Sequence, residues 1–310
     1  MNELELIQLL TRDLPSNSSV VTGAGDDCAV LDLGVPGQFL LFKTDAVVEG
    51  VHFTRETTPE KIGRKALARC LSDIAAMGGN PSAALVTLAL PKHYDTALVQ
   101  GIYAGLNTLA RRHGVAIVGG ETTTNPEGIL ISIALLGTVP KDQCLRRAGS
   151  KPGDAIFVTG QLGGSISGHH LDFEPRLAEA RWLAENFPPH AMIDLSDGLA
   201  SDLRHLLEHD KLGAELLSSA IPISHAAKLQ ARSEPTARPP LLAALTDGED
   251  FELLFTVPRG VPVRLIDAWK KQFPAVPLAC IGKVTATPGI KLRDRTGFKP
   301  MPSHGYVHFS

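Results

Sequence analysis

The chain has 310 residues, enough for two domains of ordinary size, and its composition of 44% apolar and 20% charged residues is that of a folded globular protein. A net charge of −3 gives no general attraction to nucleic acid or to an anionic membrane, so neither is an expected partner. The cysteines at 28, 70, 144 and 280 form no C-x-x-C pair, which argues against a zinc or redox site and favours free thiols.

No segment of the sequence indicates export or membrane insertion. The first ten residues are acidic and amphipathic, and they lack the basic region of a secretory signal. The longest apolar run, over 128–139, is shorter than the ~20 residues that a membrane-spanning helix needs. We therefore expect a cytoplasmic protein.

Residues 1–140 alternate between strand and helix patterns. The order predicts a mixed α/β layer in which Asp45 begins an irregular segment and a short buried strand breaks at Gly119-Gly120. Helices are predicted over 1–13, 59–77 and 95–113, and strands over 29–33, 39–43, 83–90, 115–118 and 129–139.

The clearest of these helices is 59–77. Thr58 suits its N-cap, Pro59 its first turn, and Gly78-Gly79 its end. On a helical wheel Asp73 lies ~20° from Ile62, inside the apolar arc. A carboxylate buried there must be bound to metal, paired with a cation or hydrogen-bonded, because burying it bare would cost several kcal/mol.

The segment 140–154 is polar, basic and glycine-rich, and it predicts a boundary between an N-terminal domain, 1–140, and a C-terminal domain, 141–310. Ser196 is a candidate N-cap for a helix that begins near Leu199. In this second part, strands are predicted over 155–159, 191–195, 251–257 and 278–284, with helices over 175–186, the segment after Leu199, the start of 224–240, and 261–272. The fold class is therefore α/β (α+β) with two domains.

Carboxylates recur at the ends of the predicted strands, most of them beside glycine. Such acids can serve as caps and turns, but Mg²⁺ also takes oxygen ligands and combines one or two carboxylates with phosphate oxygens. A set drawn from many separate segments favours several metal ions that hold phosphates. The set is Asp26, Asp27, Asp45, Asp73, Glu121, Asp194, Asp197, Glu249 and Asp250.

Common nucleotide-binding and hydrolase motifs are missing. There is no G-x-x-x-x-G-K-[ST] loop, no protein-kinase glycine loop with its H-R-D partner, and no G-x-S-x-G elbow. The glycine-rich run 160–168 lacks the spacing of a dinucleotide fingerprint. A phosphate site in this chain would therefore depend on carboxylate-bound metal and on local cations such as Arg146 and Arg147.

A series of motifs in order along nearly the whole chain closely resembles the thiamine-monophosphate kinase family, of the superfamily named for aminoimidazole ribonucleotide synthetase. The motifs are G-D-D-C-A-V at 25–30, T-D-A-V-V-E-G-V-H-F at 44–53, L-S-D-I-A-A-M-G at 71–78, V-G-G-E-T-T at 118–123, R-R-A-G-S-K-P-G-D at 146–154, I-D-L-S-D-G-L at 193–199 and G-E-D-F-E-L at 248–253.

The resemblance implies a homodimer in which each N-terminal domain contributes a four-stranded sheet to a shared barrel, with the C-terminal α/β domain packed beside it. It also implies that ATP and several Mg²⁺ ions lie in a cleft between the domains. The implied reaction is transfer of the ATP γ-phosphoryl group to thiamine monophosphate, which gives thiamine diphosphate. The acceptor phosphate is already ionised, so no strong general base is expected, and Arg147 is expected to stabilise charge.

The same resemblance implies roles for individual residues. Magnesium ligands would be Asp27, Thr44, Asp45, Asp73, Glu121, Asp194 and Asp197. ATP contacts would be Gly120, Glu121, Arg147, Ser196 and Tyr103. Thiamine monophosphate contacts would be His52 and Glu249.

Four positions depart from the family pattern. Lys43 stands where a small hydroxyl residue is usual, and it is expected either to displace a metal ion or to contact a phosphate. Glu121 replaces aspartate, Asp247 replaces glycine, and Ser303 stands where an aromatic residue is usual. Two alternatives to the kinase therefore stay open: another ATP-using member of the superfamily, such as a ligase or cyclase, and a non-catalytic nucleotide-binding paralogue.

Overall fold

The computed structural model describes residues 3–234, 236–302 and 305, with side chains described from residue 5 onward. Within these residues the chain forms two mixed β-sheets with helices packed against them. The predicted α/β class is confirmed. Ser303 lies outside the described residues.

The six-stranded sheet, called sheet I, belongs to the first half of the chain. Its strand order is β1-β2-β3-β6-β4-β5, and only β4 and β5 run parallel. The resemblance implies a four-stranded sheet, whereas sheet I has six strands, four of them long, with the short β1 and β2 at one edge. The elements are α1 (Glu3–Thr11), β1 (Val20–Thr22), β2 (Ala29–Leu31), β3 (Gln38–Val48), α2 (Pro59–Ala76), β4 (Asn80–Leu90), α3 (Thr96–His113), β5 (Ala116–Thr124) and β6 (Leu130–Pro140).

The residues that the structure describes cover only one face of sheet I. Residues alternate along each strand between two faces. In β6, Ile131, Ile133 and Leu135 are fully buried in the core that includes residues of α2 and α3, whereas their neighbours are only half-buried. On the opposite face Phe42 and Leu85 remain 45% and 47% exposed.

The second half of the chain forms sheet II, with strand order β13-β12-β9-β11-β7-β10-β8, in which β12 and β9 are parallel and the other neighbours antiparallel. Its elements are β7 (Ala155–Thr159), α4 (His169–Asp172), α5 (Leu177–Asn186), β8 (Ala191–Asp194), α6 (Leu199–Glu208), β9 (Gly213–Leu217), α7 (His225–Ser233), α8 (Pro240–Thr246), β10 (Leu253–Val257), α9 (Pro262–Gln272), β11 (Leu278–Thr285), β12 (Gly289–Asp294) and β13 (Gly297–Pro300).

Three strands at one end of sheet II, β7, β10 and β8, are covered on both faces. Every residue of β7, β8 and β10 is buried. Phe157 and Phe255 point into the core that contains Trp269 of α9, whereas Val158 and Leu254 point into a second core formed with the leucines of α6. Strands buried on both faces read as continuous apolar runs, which explains why these three were located correctly from sequence.

Helix α2 lies at the junction of the two halves. It packs on α3 at very close range, because a Cβ added at Gly63 would lie 1.8 Å from the carbonyl oxygen of Ile102. It also contacts α4, α5 and β8 of the second half. Thirteen of its residues are buried, including Lys65 and Asp73, so it is enclosed on most of its circumference.

Several element predictions were wrong in detail. Strand β3 continues through Asp45 to Val48, because it pairs with β6 along its whole length. Strand β5 does not break at its glycines but runs to Thr124 as an exposed edge strand parallel to β4. The helix after Leu195 has Gly198, not Ser196, at its N-cap. Strand β9, in which Glu215 interrupts the apolar run, and the seven-residue helix α8 were missed.

Among the described residues, no helix combines the length and apolarity that crossing a membrane requires.

Candidate active site

Three buried carboxylates from separate parts of the fold meet at the junction of the two halves. Asp27, Asp73 and Asp194 each offer an oxygen, and these oxygens lie within 4.8 Å of one another. Their relative exposures are 1%, 6% and 3%. We call these three residues the acid cluster.

Each member of the acid cluster is delivered by a different kind of element. Asp27 follows the turn at Gly25 and precedes β2, Asp73 lies in the last turns of α2, and Asp194 ends β8. The helix also supplies Ser72, whose hydroxyl donates a 2.6 Å hydrogen bond to Asp194 Oδ2. Sequence reasoning placed Asp73 on the buried arc of this helix, and the structure agrees.

Burial makes the charged cluster costly without cations. Burial and then repulsion by Asp27 raise the pKa of Asp194 to about 7, although the Ser72 hydrogen bond opposes the rise. Burial also raises the pKa of Asp73 well above its usual range, with Asp194 among the carboxylates that add to the rise and Lys43 opposing it. Neighbouring Asp26 has its pKa raised to about 6, by burial first and by Asp27 second.

Three basic side chains face acids of this region. Lys43 Nζ lies 2.9 Å from Asp73 Oδ1. Arg147 forms an ion pair with Asp27, in which Nε donates at 3.1 Å to Oδ1. Because Asp27 attracts and accepts hydrogen bonds from its guanidinium, the pKa of Arg147 is raised even though burial alone would lower it.

The third basic side chain is Arg69, which binds Asp45. Its Nε and Nη2 donate to the two carboxylate oxygens, each at 3.2 Å. Asp45 therefore lies on the α2 side of sheet I, on the same face as Lys43. It joins the wider site through Arg69 instead of entering the acid cluster itself.

The acid cluster fits a hard divalent cation. All of its donors are carboxylate oxygens, which Mg²⁺ prefers over nitrogen or sulphur. Asp27 Oδ2 is buried and has no hydrogen-bond partner among the described residues. A buried carboxylate oxygen without a partner is costly, and a bound cation would satisfy it.

A cavity of about 640 Å³ adjoins this region. Its wall includes Ser196 and Asp197, which closely follow Asp194 in the chain, and Arg69, which it shares with Asp45. His52 and Glu249, the residues expected to contact thiamine monophosphate, also line it. The volume is that of a small-molecule site.

Glu249 is held at the cavity by two buried side chains. Lys65 Nζ donates a 2.7 Å hydrogen bond to Glu249 Oε2, and His170 Nδ1 lies 3.2 Å from the same oxygen. Burial alone would raise the pKa of Glu249, but the His170 hydrogen bond, Lys65 and Arg69 together lower it to about 2. The carboxylate is therefore ionised at neutral pH and offers negative charge to a ligand.

Asp247 stands on the rim of the same cavity. It accepts a 3.2 Å hydrogen bond from Arg238 and a 2.9 Å bond from the backbone N–H of Gly164. The aspartate at position 247, where the family pattern has glycine, thus adds a paired carboxylate to the cavity wall.

The loop that carries Asp197 is fixed by Asp202, which accepts hydrogen bonds from the backbone N–H groups of Asp197 and Gly198 at 3.1 and 3.0 Å.

Besides Asp45 and Arg147, four of the expected site residues lie outside both the acid cluster and the cavity wall. Thr44 has an exposed side chain on the open face of sheet I, 3.4 Å from Ser132 Oγ, because β3 turns residues 44 and 45 to opposite faces. Glu121 pairs with Thr87 in register and is exposed on the edge strand β5. Tyr103 is half-buried on α3 against the core and does not line the cavity.

Gly120, the fourth, lies beside β4. A Cβ there would be 1.8 Å from the carbonyl oxygen of Val86, so the close pairing of the two strands requires glycine. An expected ATP contact at this position would therefore involve its backbone.

Sequence reasoning missed Lys65 and Arg69, which hold Glu249 and Asp45. A signal was present, because residues 65, 69 and 73 are spaced by four and share the buried face of α2. Charged residues inside an apolar arc need partners, and applying that argument to Asp73 alone left its two basic neighbours out.

Comparison with known proteins adds to this geometry. Residues 25–139 match the protein family described as "AIR synthase related protein, N-terminal domain". The thiamine-monophosphate kinase of Rhodopirellula baltica is 41% identical, over 96% of this chain and 93% of its own length. That of Bacillus subtilis is 33% identical over the whole of both chains.

A solved structure described as AaThiL complexed with AMPPCP and TMP superimposes with a TM-score of 0.79 at 31% identity, covering 99% of this chain and 97% of the other. This likeness extends over both sheets and the junction between them. The chain belongs to the thiamine-monophosphate kinase family.

Proposed function

We propose that this protein phosphorylates thiamine monophosphate with ATP, giving thiamine diphosphate and ADP. The observation that carries the proposal is a buried acid cluster with Arg147 beside it, next to a cavity lined by His52 and Glu249. It occurs in a chain whose full-length relatives are thiamine-monophosphate kinases.

The two ligands make different demands, and the site offers different chemistry to each. Thiamine carries a positively charged thiazolium ring, and the ionised Glu249 in the cavity wall is suited to bind near it. His52 lines the same wall and is assigned to the same substrate. Arg147, Ser196 and the backbone of Gly120 are assigned to ATP.

Phosphoryl transfer needs positioning and charge stabilisation more than covalent help. Both reacting groups are phosphate anions, so their mutual repulsion is the main obstacle. Arg147 offers a guanidinium beside the acid cluster, where its ion pair with Asp27 holds it. The acceptor oxygen is already ionised, so none of these residues has to act as a general base.

Mg²⁺ is the metal that this chemistry calls for. Asp27, Asp73 and Asp194 would hold it, with Asp45, Asp197, Thr44 and Glu121 as further candidates. When bound, it would offset negative charge on the phosphates. The protein's own contribution is that Lys43 and Arg147 offset part of the negative charge of Asp73 and Asp27.

We also infer a homodimer formed through the open face of sheet I. Phe42, Leu85 and Val118 are exposed by 45%, 47% and 63%. Large apolar side chains grouped on one sheet face favour a covering partner. Thr44 and Glu121 lie on this side of the sheet, so a second copy would also change their surroundings.

The test is direct. Purified protein is incubated with ATP, Mg²⁺ and thiamine monophosphate, and thiamine diphosphate is measured by chromatography. Asp73→Asn and Asp194→Asn should each lower the rate by on the order of 10²-fold or more. Asp294→Asn is the matched control, because Asp294 pairs with Lys299 at an edge hairpin of sheet II, and it should leave the rate unchanged.

Failure to form thiamine diphosphate while ATP still binds would overturn the proposal. ATP cleavage with a different acceptor would then favour a ligase or cyclase of the same superfamily. ATP binding without turnover on any acceptor would favour a nucleotide-binding paralogue.

A further inference from the structure

Lys43 places a positive charge directly against the acid cluster. In β3 the buried side chains of Leu41 and Val47 face α2, and Lys43 lies on the same face between them. Its Nζ is 2.9 Å from Asp73 Oδ1, and its side chain is 24% exposed. The ammonium thus occupies the space beside a carboxylate that also belongs to the acid cluster.

The charge on Lys43 is stable in this position. Burial alone would lower the pKa of its ammonium, but attraction to Asp73 and then Asp45 outweighs burial and raises it. Lysine carries a compact point charge on a flexible stem, which lets it sit where a small cation would.

The carboxylates of the site differ in whether a basic side chain pairs with them. Asp73 has Lys43, Asp45 has Arg69, and Asp27 has Arg147, but Arg147 contacts only one oxygen of Asp27. The other oxygen, Oδ2, is buried without a hydrogen-bond partner among the described residues. Asp194 is matched by a neutral hydroxyl rather than a cation.

A metal ion can therefore bind beside Asp27 and Asp194, whereas beside Asp73 Oδ1 the Lys43 ammonium blocks it. A metal ion of the Mg²⁺ type binds a carboxylate oxygen at ~2.0–2.1 Å and needs nearly octahedral surroundings. An ammonium already 2.9 Å from Asp73 Oδ1 competes with such an ion for that oxygen, by charge and by volume. Asp27 Oδ2, Asp194 and the second carboxylate oxygen of Asp73 remain available to a metal ion.

We propose that Lys43 is a tethered cation of the phosphate site, which takes at Asp73 the place of one divalent ion, so that each chain binds one divalent ion fewer than its carboxylates could hold. The part of the inference that concerns phosphates rests on the proposed function. The part that concerns the number of metal ions does not.

The number of bound ions is measured by titrating the full-length protein with Mn²⁺ and recording free Mn²⁺ by electron paramagnetic resonance. Each titration is run with and without a non-hydrolysable ATP analogue. Lys43→Met should bind one Mn²⁺ more per chain than the parent protein, whereas Lys43→Arg, which keeps the charge, should match the parent. Lys61→Met is the control, because Lys61 pairs with Asp172 at 2.6 Å on the surface and should also match the parent.

The melting temperature gives a second measure. Removing the ammonium leaves Asp73 buried beside other carboxylates, so Lys43→Met should melt lower than the parent without metal and should gain more from added Mn²⁺. If Lys43→Met does not fold, Lys43→Gln, which retains a hydrogen-bond donor, takes its place in both measurements.

Equal numbers of bound Mn²⁺ in the parent and in the folded Lys43 variant, including none in either, would overturn the inference. A protein that shows the expected Mn²⁺ counts but makes no thiamine diphosphate would instead overturn the proposed function and leave the role of Lys43 at the metal site intact.

Discussion

The two sheets of this molecule solve the problem of covering a sheet in different ways. In sheet II the strands β7, β10 and β8 are buried on both faces, with Phe255 on one side and Leu254 on the other, each fully buried. Sheet I buries one face under α2 and α3 and leaves Phe42 and Leu85 nearly half exposed on the other. The apolar side chains on the open face of sheet I are therefore available for contact with a second copy of the chain.

The candidate site follows the same division. Sheet I contributes side chains from its covered face, Lys43 and Asp45, whereas sheet II contributes Asp194 from the end of a strand buried on both sides. Thr44 and Glu121 lie on the open side of sheet I. The acid cluster and its basic partners therefore lie on the covered side of sheet I, whereas two expected ligands lie on its open side.

A truncation in sheet II should have the largest effect on stability. Phe255→Ala removes a ring that is fully buried and stacked on Phe157, with ring centroids 5.6 Å apart. We expect the free energy of unfolding to fall by ~3–5 kcal/mol, measured by urea denaturation. Phe42→Ala, on the open face of sheet I, should cost less than ~1 kcal/mol at a concentration where the protein is monomeric.

Similar losses for Phe255→Ala and Phe42→Ala would break the comparison, because they would mean that the open face of sheet I is as tightly packed as the interior of sheet II.

The covered face of sheet I can be probed at the contact between its two helices. Gly63→Ala would place a methyl group 1.8 Å from the carbonyl oxygen of Ile102, so α2 and α3 must move apart. We expect a loss of ~1–3 kcal/mol in the free energy of unfolding. Gly260→Ala is the matched control, because no atom lies within 4 Å of its added Cβ. A Gly63→Ala protein as stable as this control would show that the helices are not in close contact.

Leu85→Glu should have the smallest effect on the stability of the folded chain. It should nevertheless prevent dimer formation. Leu85 is 47% exposed on the open face, so the substitution should change the stability of a single chain by less than ~0.5 kcal/mol. Light scattering coupled to size-exclusion chromatography should show the parent as a dimer and the variant as a monomer. A monomeric parent, or a variant that stays dimeric, would contradict the assignment of this face to the dimer.

The sequence alone was sufficient for the fold class, the family and the buried position of Asp73. These rest on local patterns: continuous apolar runs in sheet II, helical periodicity in α2, and motifs with fixed spacing. The boundary near residue 140 stays a prediction.

The positions that sequence reasoning did not reach depend on contacts across the fold. Lys65 finds Glu249 in a segment far along the chain, and no local pattern predicts that pairing. The side on which Thr44 lies depends on β3 continuing past Asp45, and this follows from its register with β6. Arg69 was overlooked because a long basic side chain on a helix usually reaches solvent, whereas here a carboxylate holds it in place.

Helix α2 has a consequence for how the protein is made. It emerges early in synthesis, but the partners of its buried charges come much later: Asp194 bonds to Ser72, and Glu249 bonds to Lys65. Until Glu249 has emerged from the ribosome, the charged and apolar side chains on this face of α2 remain exposed to solvent. A nascent chain halted after sheet I would therefore lack the partners of the buried charges of α2. We expect misfolding to compete most with the late step in which these long-range contacts form.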